Sequence, residues 1–386
     1  MIQPASRMDL VKEYYFSTKL KEIAEMNANG HAVLNLGIGS PDLAPSENTI
    51  SALTEAASNP KNHAYQSYVG VPALRKAFAD WYQKYFKVEL NPANEILPLL
   101  GSKEGIMHIS MAYLEAGDEV LIPNPGYPTY RSASLLAGAT LVEYNLAESN
   151  GWLPDLEALE ATDLSKVKLM WLNYPHMPTG AKATKSFFQK LVVFAKKHNI
   201  MLVNDNPYSF ILNDDYLSIL AIEGANEIAL ELNSLSKAQN MAGWRVGMMA
   251  GSSELIANVL RFKSNMDSGM FLPVQLAAIE ALKADESWYR SLNEIYKIRQ
   301  QKVFEVMDLI GCQYDTQQTG MFVWAKIPEK WTDAYQLSDE ILYKAKVFIT
   351  PGGIFGSQGN RYLRISLCAD ISLFQESIER IQQRMQ

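Results

Sequence analysis

Through the middle of the chain, short and largely apolar runs alternate with longer stretches in which apolar residues recur every three or four positions. The short runs include Glu119–Ile122 (EVLI), Leu169–Leu172 (LMWL), Ile200–Val203 (IMLV) and Ile228–Leu232 (IALEL). Runs with little polar alternation leave no face for solvent, so each predicts a strand buried on both sides. Between them, Lys185–His198 carries Phe187, Phe188, Leu191, Val192 and Ala195 at helical spacing and predicts an amphipathic helix. Strand and helix in turn is the pattern of βα units. The expected fold class is therefore α/β, with a mostly parallel sheet covered by helices.

From about Glu286 to Ile310 the period is helical again, with Leu292, Ile295, Tyr296, Val303, Val306, Met307 and Ile310 on one stripe and Arg299 interrupting it. Beyond lie shorter units, Met321–Ile327, Ser338–Lys346, Arg361–Leu367 and Leu373–Met385, which predict a smaller α+β domain. The turn-rich run GIGSPD, Gly37–Asp42, separates the N-terminal segment from the rest of the chain, and that segment is expected to join the smaller domain. The division expected is a large domain over 42–285 and a discontinuous small domain over 1–41 and 286–386, in keeping with a length of 386 residues.

Composition narrows the function. Hydrophobic residues make up 48% and charged residues 20%, enough apolar material for a large core. A net charge of -7 and a pI near 5.4 argue against general attraction to nucleic acid. The two cysteines, Cys312 and Cys368, are too few for a disulfide framework and favour a reducing compartment. The histidines are scattered without ligand-type spacing, so no metal site is expected. The N-terminus lacks the apolar stretch of a signal peptide, and no run approaches ~18 apolar residues, so neither export nor a membrane span is expected and the cytoplasm is the default.

The chemistry gathers in a few motifs. In Ser234-Leu-Ser-Lys-Ala-Gln-Asn-Met-Ala-Gly-Trp-Arg-Val-Gly247, a lysine stands among small hydroxyl residues with an arginine eight positions on. That set suits an aldehyde cofactor bearing a phosphate: Lys237 condenses with the aldehyde, while Ser234, Ser236 and Arg245 hold the phosphate. The string resembles the cofactor-lysine signature of fold-type I, class I/II aminotransferases, and the resemblance runs from about Asn35 to Ser366. It implies pyridoxal 5'-phosphate as cofactor and identifies further positions in family order. Asp205, in Val203-Asn-Asp-Asn-Pro-Tyr208, matches the aspartate set against the pyridine nitrogen, and Tyr208 matches the tyrosine set against the phenolic oxygen. A buried carboxylate keeps the ring nitrogen protonated, so that the ring accepts carbanion electrons. Gly101-Ser102-Lys103, at the start of a helical run, resembles the phosphate-cradling turn, where backbone N–H groups and the helix dipole face a dianion. Tyr127, in Pro123-Asn-Pro-Gly-Tyr-Pro128, matches the aromatic that stacks on the ring.

Two positions concern substrate. Arg364, in Arg361-Tyr-Leu-Arg-Ile-Ser366, matches the arginine that grips the α-carboxylate through a bidentate fork. Arg361 is the local competitor, placed by strand alternation on the opposite face. Gly39, in Asn35-Leu-Gly-Ile-Gly39, resembles the glycine whose backbone N–H meets the same carboxylate. Tyr65, in His63-Ala-Tyr-Gln-Ser-Tyr-Val-Gly70, with Tyr68 as its alternative, matches a tyrosine that reaches the neighbouring subunit's phosphate. This implies a homodimer with composite active sites. One departure stands out: where the family reads Asn-Asn-Pro-Thr-Gly, this chain has His176-Met-Pro-Thr-Gly180. The asparagine that donates to the phenolic oxygen is replaced by Met177, and a thioether cannot donate. Either Tyr208 serves that oxygen alone, or His176 or Asn173 supplies the donor.

The activity implied is ping-pong transamination through a Lys237 Schiff base, from an amino acid to a 2-oxo acid. The same positions would serve a carbon–sulfur β-lyase, because they handle the cofactor rather than the outcome. A cofactor-binding effector domain of a transcription regulator is the non-enzymatic alternative, and the roughly 35 residues before the resemblance begins are too short for its DNA-binding extension. No arginine is assignable to a second substrate carboxylate.

Overall fold

The computed structural model describes residues 2–11, 13 and 15–385; Met1, Lys12, Tyr14 and Gln386, which fall within the expected small-domain limits, lie outside the described residues. After a short strand β1 (Leu34–Asn35) come β2 (Ile96–Leu99), β3 (Glu119–Asn124), β4 (Thr140–Asn145), β5 (Val167–Leu172), β6 (Met201–Asp205), β7 (Ala229–Ser234) and β8 (Gly247–Gly251). Strands β2 to β8 form one seven-stranded sheet in the order β2-β8-β7-β6-β5-β3-β4. It is parallel except at β8, which runs antiparallel to both neighbours. The four apolar runs read from the sequence lie within or across β3, β5, β6 and β7.

Each strand feeds two cores, one on each face. Leu169, Trp171, Val203 and Leu232 pack with Ile106, Ile109 and Val259 from helices Ser102–Tyr113 and Ser253–Lys263. Their sequence neighbours Met170, Leu172 and Leu202 point the other way, into a core with Phe78, Tyr82, Phe188 and Leu191 from helices Pro72–Phe86 and Lys185–His198. This is the α/β arrangement expected of strands apolar on both faces. The helix Lys185–His198 has the limits its periodicity predicted.

Parallel strands put their ends at one edge. Strands β5, β6 and β7 finish at Leu172, Asp205 and Ser234, and antiparallel pairing sets Gly247 opposite both Ser234 and Leu99. Asn173, Asp205, Ser234 and the Gly101 turn therefore share the carboxyl edge, where open α/β sheets bind ligands.

The remaining strands, β9 (Gln313–Tyr314), β10 (Phe322–Lys326), β11 (Val347–Phe348), β12 (Thr350–Pro351) and β13 (Tyr362–Ser366), come after the long helix Glu286–Leu309. A four-stranded antiparallel sheet has the order β12-β13-β10-β9, while β1 pairs in parallel with β11. On the long helix Leu292, Tyr296, Val303, Val306 and Met307 are buried as expected, but Ile295 is 38% exposed. It lies roughly 100° round the helix from Tyr296, beyond the margin of the stripe. Arg299, the interruption, is buried: its two terminal nitrogens each donate to an Asp42 carboxylate oxygen at 2.7 Å, and Nη1 also reaches the Leu367 carbonyl at 3.0 Å. That bidentate pair ties the GIGSPD turn to the long helix. Among the described residues no helix is long and apolar enough to cross a membrane.

Candidate active site

A cavity of about 630 Å³ opens at the carboxyl edge of the seven-stranded sheet and is closed on its far side by residues of β10 and β13. At one end, helix Ser102–Tyr113 begins at the cavity wall with Ser102 and Lys103. Gly101, its N-cap, has φ +86, a conformation that favours glycine, and the Arg245 guanidinium lies so close that it would have to move aside for a Cβ there. Arg245 itself is held in the left-handed region at φ +58, with Nη1 donating to the Ala242 carbonyl at 2.9 Å. Ser234 and Ser236 join it, their hydroxyls 2.9 Å apart. A helix start, two hydroxyls and a guanidinium thus line the same cavity, a set of donors chemically suited to an anion.

The middle of the cavity holds Asp205, Tyr208, Tyr127, Asn173 and Lys237. Asp205 is 4% exposed; its Oδ2 accepts from the Tyr130 hydroxyl at 2.9 Å and its Oδ1 is buried without a hydrogen-bond partner. Burial pushes this carboxyl up to about 7, against the pull of the Tyr130 hydrogen bond and of Lys237. Lys237 Nζ donates to the Gly39 carbonyl at 2.8 Å, and burial, with Arg364 and Arg245 adding to it, lowers its pKa. Tyr208 is buried, and burial together with Asp205 raises its phenol. Asn173 is engaged on both ends of its amide, donating to the Asp205 carbonyl and accepting from the Met177 N–H at 2.8 Å.

Tyr130 was not among the residues the sequence pointed to. Its ring stacks on Trp171 at 5.1 Å and 7°, and its hydroxyl holds Asp205. It lies one helical turn after Tyr127, with which its ring makes an edge contact at 5.6 Å. That spacing within the Pro-Gly-Tyr-Pro-Thr-Tyr run was the available signal.

At the other end Arg364, on β13, is 4% exposed. Its Nη2 donates to the Gly37 carbonyl at 2.8 Å and its Nη1 lies 3.4 Å from the Met177 sulfur, which accepts. Phe322 and Phe355 flank the guanidinium with ring centroids at 4.0 and 4.7 Å. Arg361 faces away, bonding the carbonyls of Trp331, Thr332 and Pro328. Gly39 lines the cavity, and a Cβ there would collide with the Phe322 ring. His176 is not on the cavity wall: its Nδ1 is 2.8 Å from the Thr179 hydroxyl, and burial pushes its pKa down to about 3.

Tyr65 is 91% exposed and Tyr68 44% exposed, and neither lines the cavity of its own chain. Elsewhere the fold brings potential ligand atoms of Glu104, His108 and Asp267 within 4.8 Å of one another, a grouping that histidine spacing alone did not reveal. The Lys263 ammonium pairs with Asp267 there at 2.5 Å.

The family model described as aminotransferase class I and II matches residues 31–381. An LL-diaminopimelate aminotransferase of Dehalococcoides mccartyi is 42% identical over 379 residues, covering 98% of this chain and 97% of that protein. One from Aquifex aeolicus is 39% identical over 383 residues, with 99% of each covered. Among solved structures, substrate-bound BacF from Bacillus subtilis matches with a TM-score of 0.94 at 36% identity, covering 99% of this chain and 98% of that one.

Proposed function

Because the chain belongs to the aminotransferase class I and II family, a family that uses pyridoxal phosphate, we propose that Lys237 carries that cofactor and that transamination here runs by two half-reactions. The fold is type I and the activity is that of an aminotransferase. The donor set suits the cofactor. Ser102, Lys103, Ser234, Ser236 and Arg245, with the N–H groups after Gly101, suit a phosphate dianion. The orphaned Asp205 Oδ1, the observation that carries the reading, suits a protonated ring nitrogen.

When bound, the cofactor supplies an aldehyde for condensation with amines and a ring that takes up the electron pair left at the amino acid's α-carbon. Lys237 holds the cofactor and then, as the free amine that its surroundings favour, moves the α-proton. Asp205, steadied by Tyr130, keeps the ring proton in place. Tyr208 would donate to the phenolic oxygen, Met177 leaves without a donor the place that an asparagine takes in the family, and Tyr127 would cover the ring beside Asn173, which lines the same cavity. Arg364, with the Gly39 N–H, would grip the substrate α-carboxylate and so orient the amino acid in the cavity.

The reading extends to the assembly. Tyr65, exposed in its own chain, fits a role in a partner's phosphate site, and the enzyme is read as a homodimer of two-domain subunits, 42–285 and the discontinuous 1–41 with 286–386. With both cysteines free, the cytoplasm is the compartment proposed. The test is a single-turnover experiment. Holoenzyme mixed with a donor amino acid and no acceptor should release one equivalent of 2-oxo acid per site, and a 2-oxo acid added afterwards should be aminated. Pyruvate and ammonia released continuously without an acceptor would instead establish a β-lyase. LL-diaminopimelate, the donor named for the curated relatives, belongs in the donor panel.

A further inference from the structure

The wall around Arg364 carries information about the amino acid's side chain. Phe322 and Phe355 lie against the guanidinium, the Phe16 ring centroid stands 5.7 Å from its central carbon, and the Met177 sulfur is 3.4 Å from Nη1. Phe16, Phe322, Phe355 and Met177 are each at most 8% exposed, and all line the cavity together with Ile38. An α-carboxylate held by Arg364 would leave the side chain only a few bonds away, within reach of this wall. Among the described residues, the charged ones on the cavity wall are Lys103, Lys237, Asp205, Arg245 and Arg364. The proposed function gives each of them a task at the phosphate, the aldehyde, the ring nitrogen or the α-carboxylate. A second carboxylate or ammonium at the end of the substrate would be desolvated against aromatic rings, and among the described residues on the cavity wall no further charged group stands ready to pair it.

We propose that the donor side chain is large and apolar, of the aromatic, thioether or branched aliphatic class, and that Phe16 is a specificity-determining residue. Helix Tyr15–Ala28 delivers Phe16 from the N-terminal segment, where it packs with Leu342 and Phe348 and so reaches the cavity from a fixed base. The inference rests on the assignment of Arg364 to the α-carboxylate. It separates this site from one built for LL-diaminopimelate, whose far end bears both an ammonium and a carboxylate.

The test measures kcat/KM of the holoenzyme for phenylalanine, methionine, leucine, alanine, glutamate and LL-diaminopimelate with 2-oxoglutarate or pyruvate as acceptor. Phenylalanine or methionine should exceed alanine, glutamate and LL-diaminopimelate by at least about ten-fold, since burial of such a side chain is the term that differs. Phe16→Ala should lower kcat/KM for the preferred apolar donor by about ten-fold while changing that for alanine by less than about three-fold. Phe16→Leu provides the same comparison should the alanine variant fold poorly. Preference for glutamate or LL-diaminopimelate, with transamination otherwise intact, overturns this inference alone. An equal loss for alanine and the apolar donor overturns the role of Phe16. Absence of amino transfer from every donor overturns the underlying functional reading and this inference with it.

Discussion

Replacing Asp205 by asparagine keeps an acceptor for the Tyr130 hydroxyl and removes the charge. In the cofactor-free protein, burial holds the carboxyl protonated up to about 7, against an ordinary value of 3.8. The unfolded chain therefore gives up this proton at lower pH than the folded chain does. Stability from this group is fully present below pH about 4 and is lost as the pH rises through about 7. At about 1.4 kcal/mol per unit, the loss across that window is about 4 kcal/mol. Asparagine does not titrate, but its amide would stand where Oδ1 has no partner, costing about 1–3 kcal/mol at every pH. The cofactor-free Asp205→Asn protein should thus be less stable than wild type near pH 4, by about 1–3 kcal/mol, and more stable at pH 8 by a similar amount. Thermal or urea melts of both proteins, stripped of cofactor and compared at half-unit steps from about pH 4 to about 8.5, read the difference directly. A difference that does not change with pH would refute the reasoning, because it would mean that Asp205 titrates near 3.8 in the folded chain. Loaded with cofactor, the same variant should lose at least about a hundred-fold in turnover, since the charge opposite the ring nitrogen is gone.

Three other substitutions probe the remaining tasks. Lys237→Ala should abolish the absorbance band of lysine-bound cofactor and lower turnover by several orders of magnitude; substantial residual transamination in a steady-state assay would remove Lys237 from the reaction. Arg364→Ala should lower kcat/KM at least about thirty-fold for every donor, because truncating one partner of a desolvated charge pair costs about 2–5 kcal/mol; a loss confined to acidic donors would make it a reader of side chains. Met177→Asn should lower, by about a unit or less, the pKa seen when the lysine-bound cofactor is titrated by absorbance, since a hydrogen bond to the phenolic oxygen is worth about 0.5–1.5 kcal/mol. No change there would mean that Asn173 already supplies the donor, which Asn173→Ala would then expose.

The sheet was legible because its strands are apolar on both faces, and the motifs were legible because each is a contiguous string. What escaped was whatever depends on contacts between distant segments. Arg299 looked like a break in a helix stripe because its partner, Asp42, lies 257 positions away. Tyr130 was not singled out because its role is defined by Asp205, 75 residues on. Met177 was legible as a missing donor, yet its position against Arg364 was not, since that contact spans 187 residues.

The site gathers groups that a structure selected for stability alone would not keep. Burial acts against the charge of Lys237, and Arg364 and Arg245 act with it. Burial also acts against the charge of Asp205, whose second oxygen has no partner. Both groups hang on rigid support, the end of β6 for Asp205 and the segment just after β7 for Lys237, and that support comes from cores on either side of the sheet. The two effects can be separated by location. Neutralising Asp205 should relieve a cost in the empty protein above about pH 7 and remove function. Cutting Arg299 to alanine, which leaves the Asp42 carboxylate without its fork, should lower the melting temperature with and without cofactor. Its effect on the pH profile of turnover should be small, because Arg299 bonds Asp42 and the Leu367 carbonyl rather than any group on the cavity wall. A pH profile displaced as far by Arg299→Ala as by Asp205→Asn would mean that the Gly37–Asp42 turn tunes the reacting groups, and the separation between support and chemistry would fail.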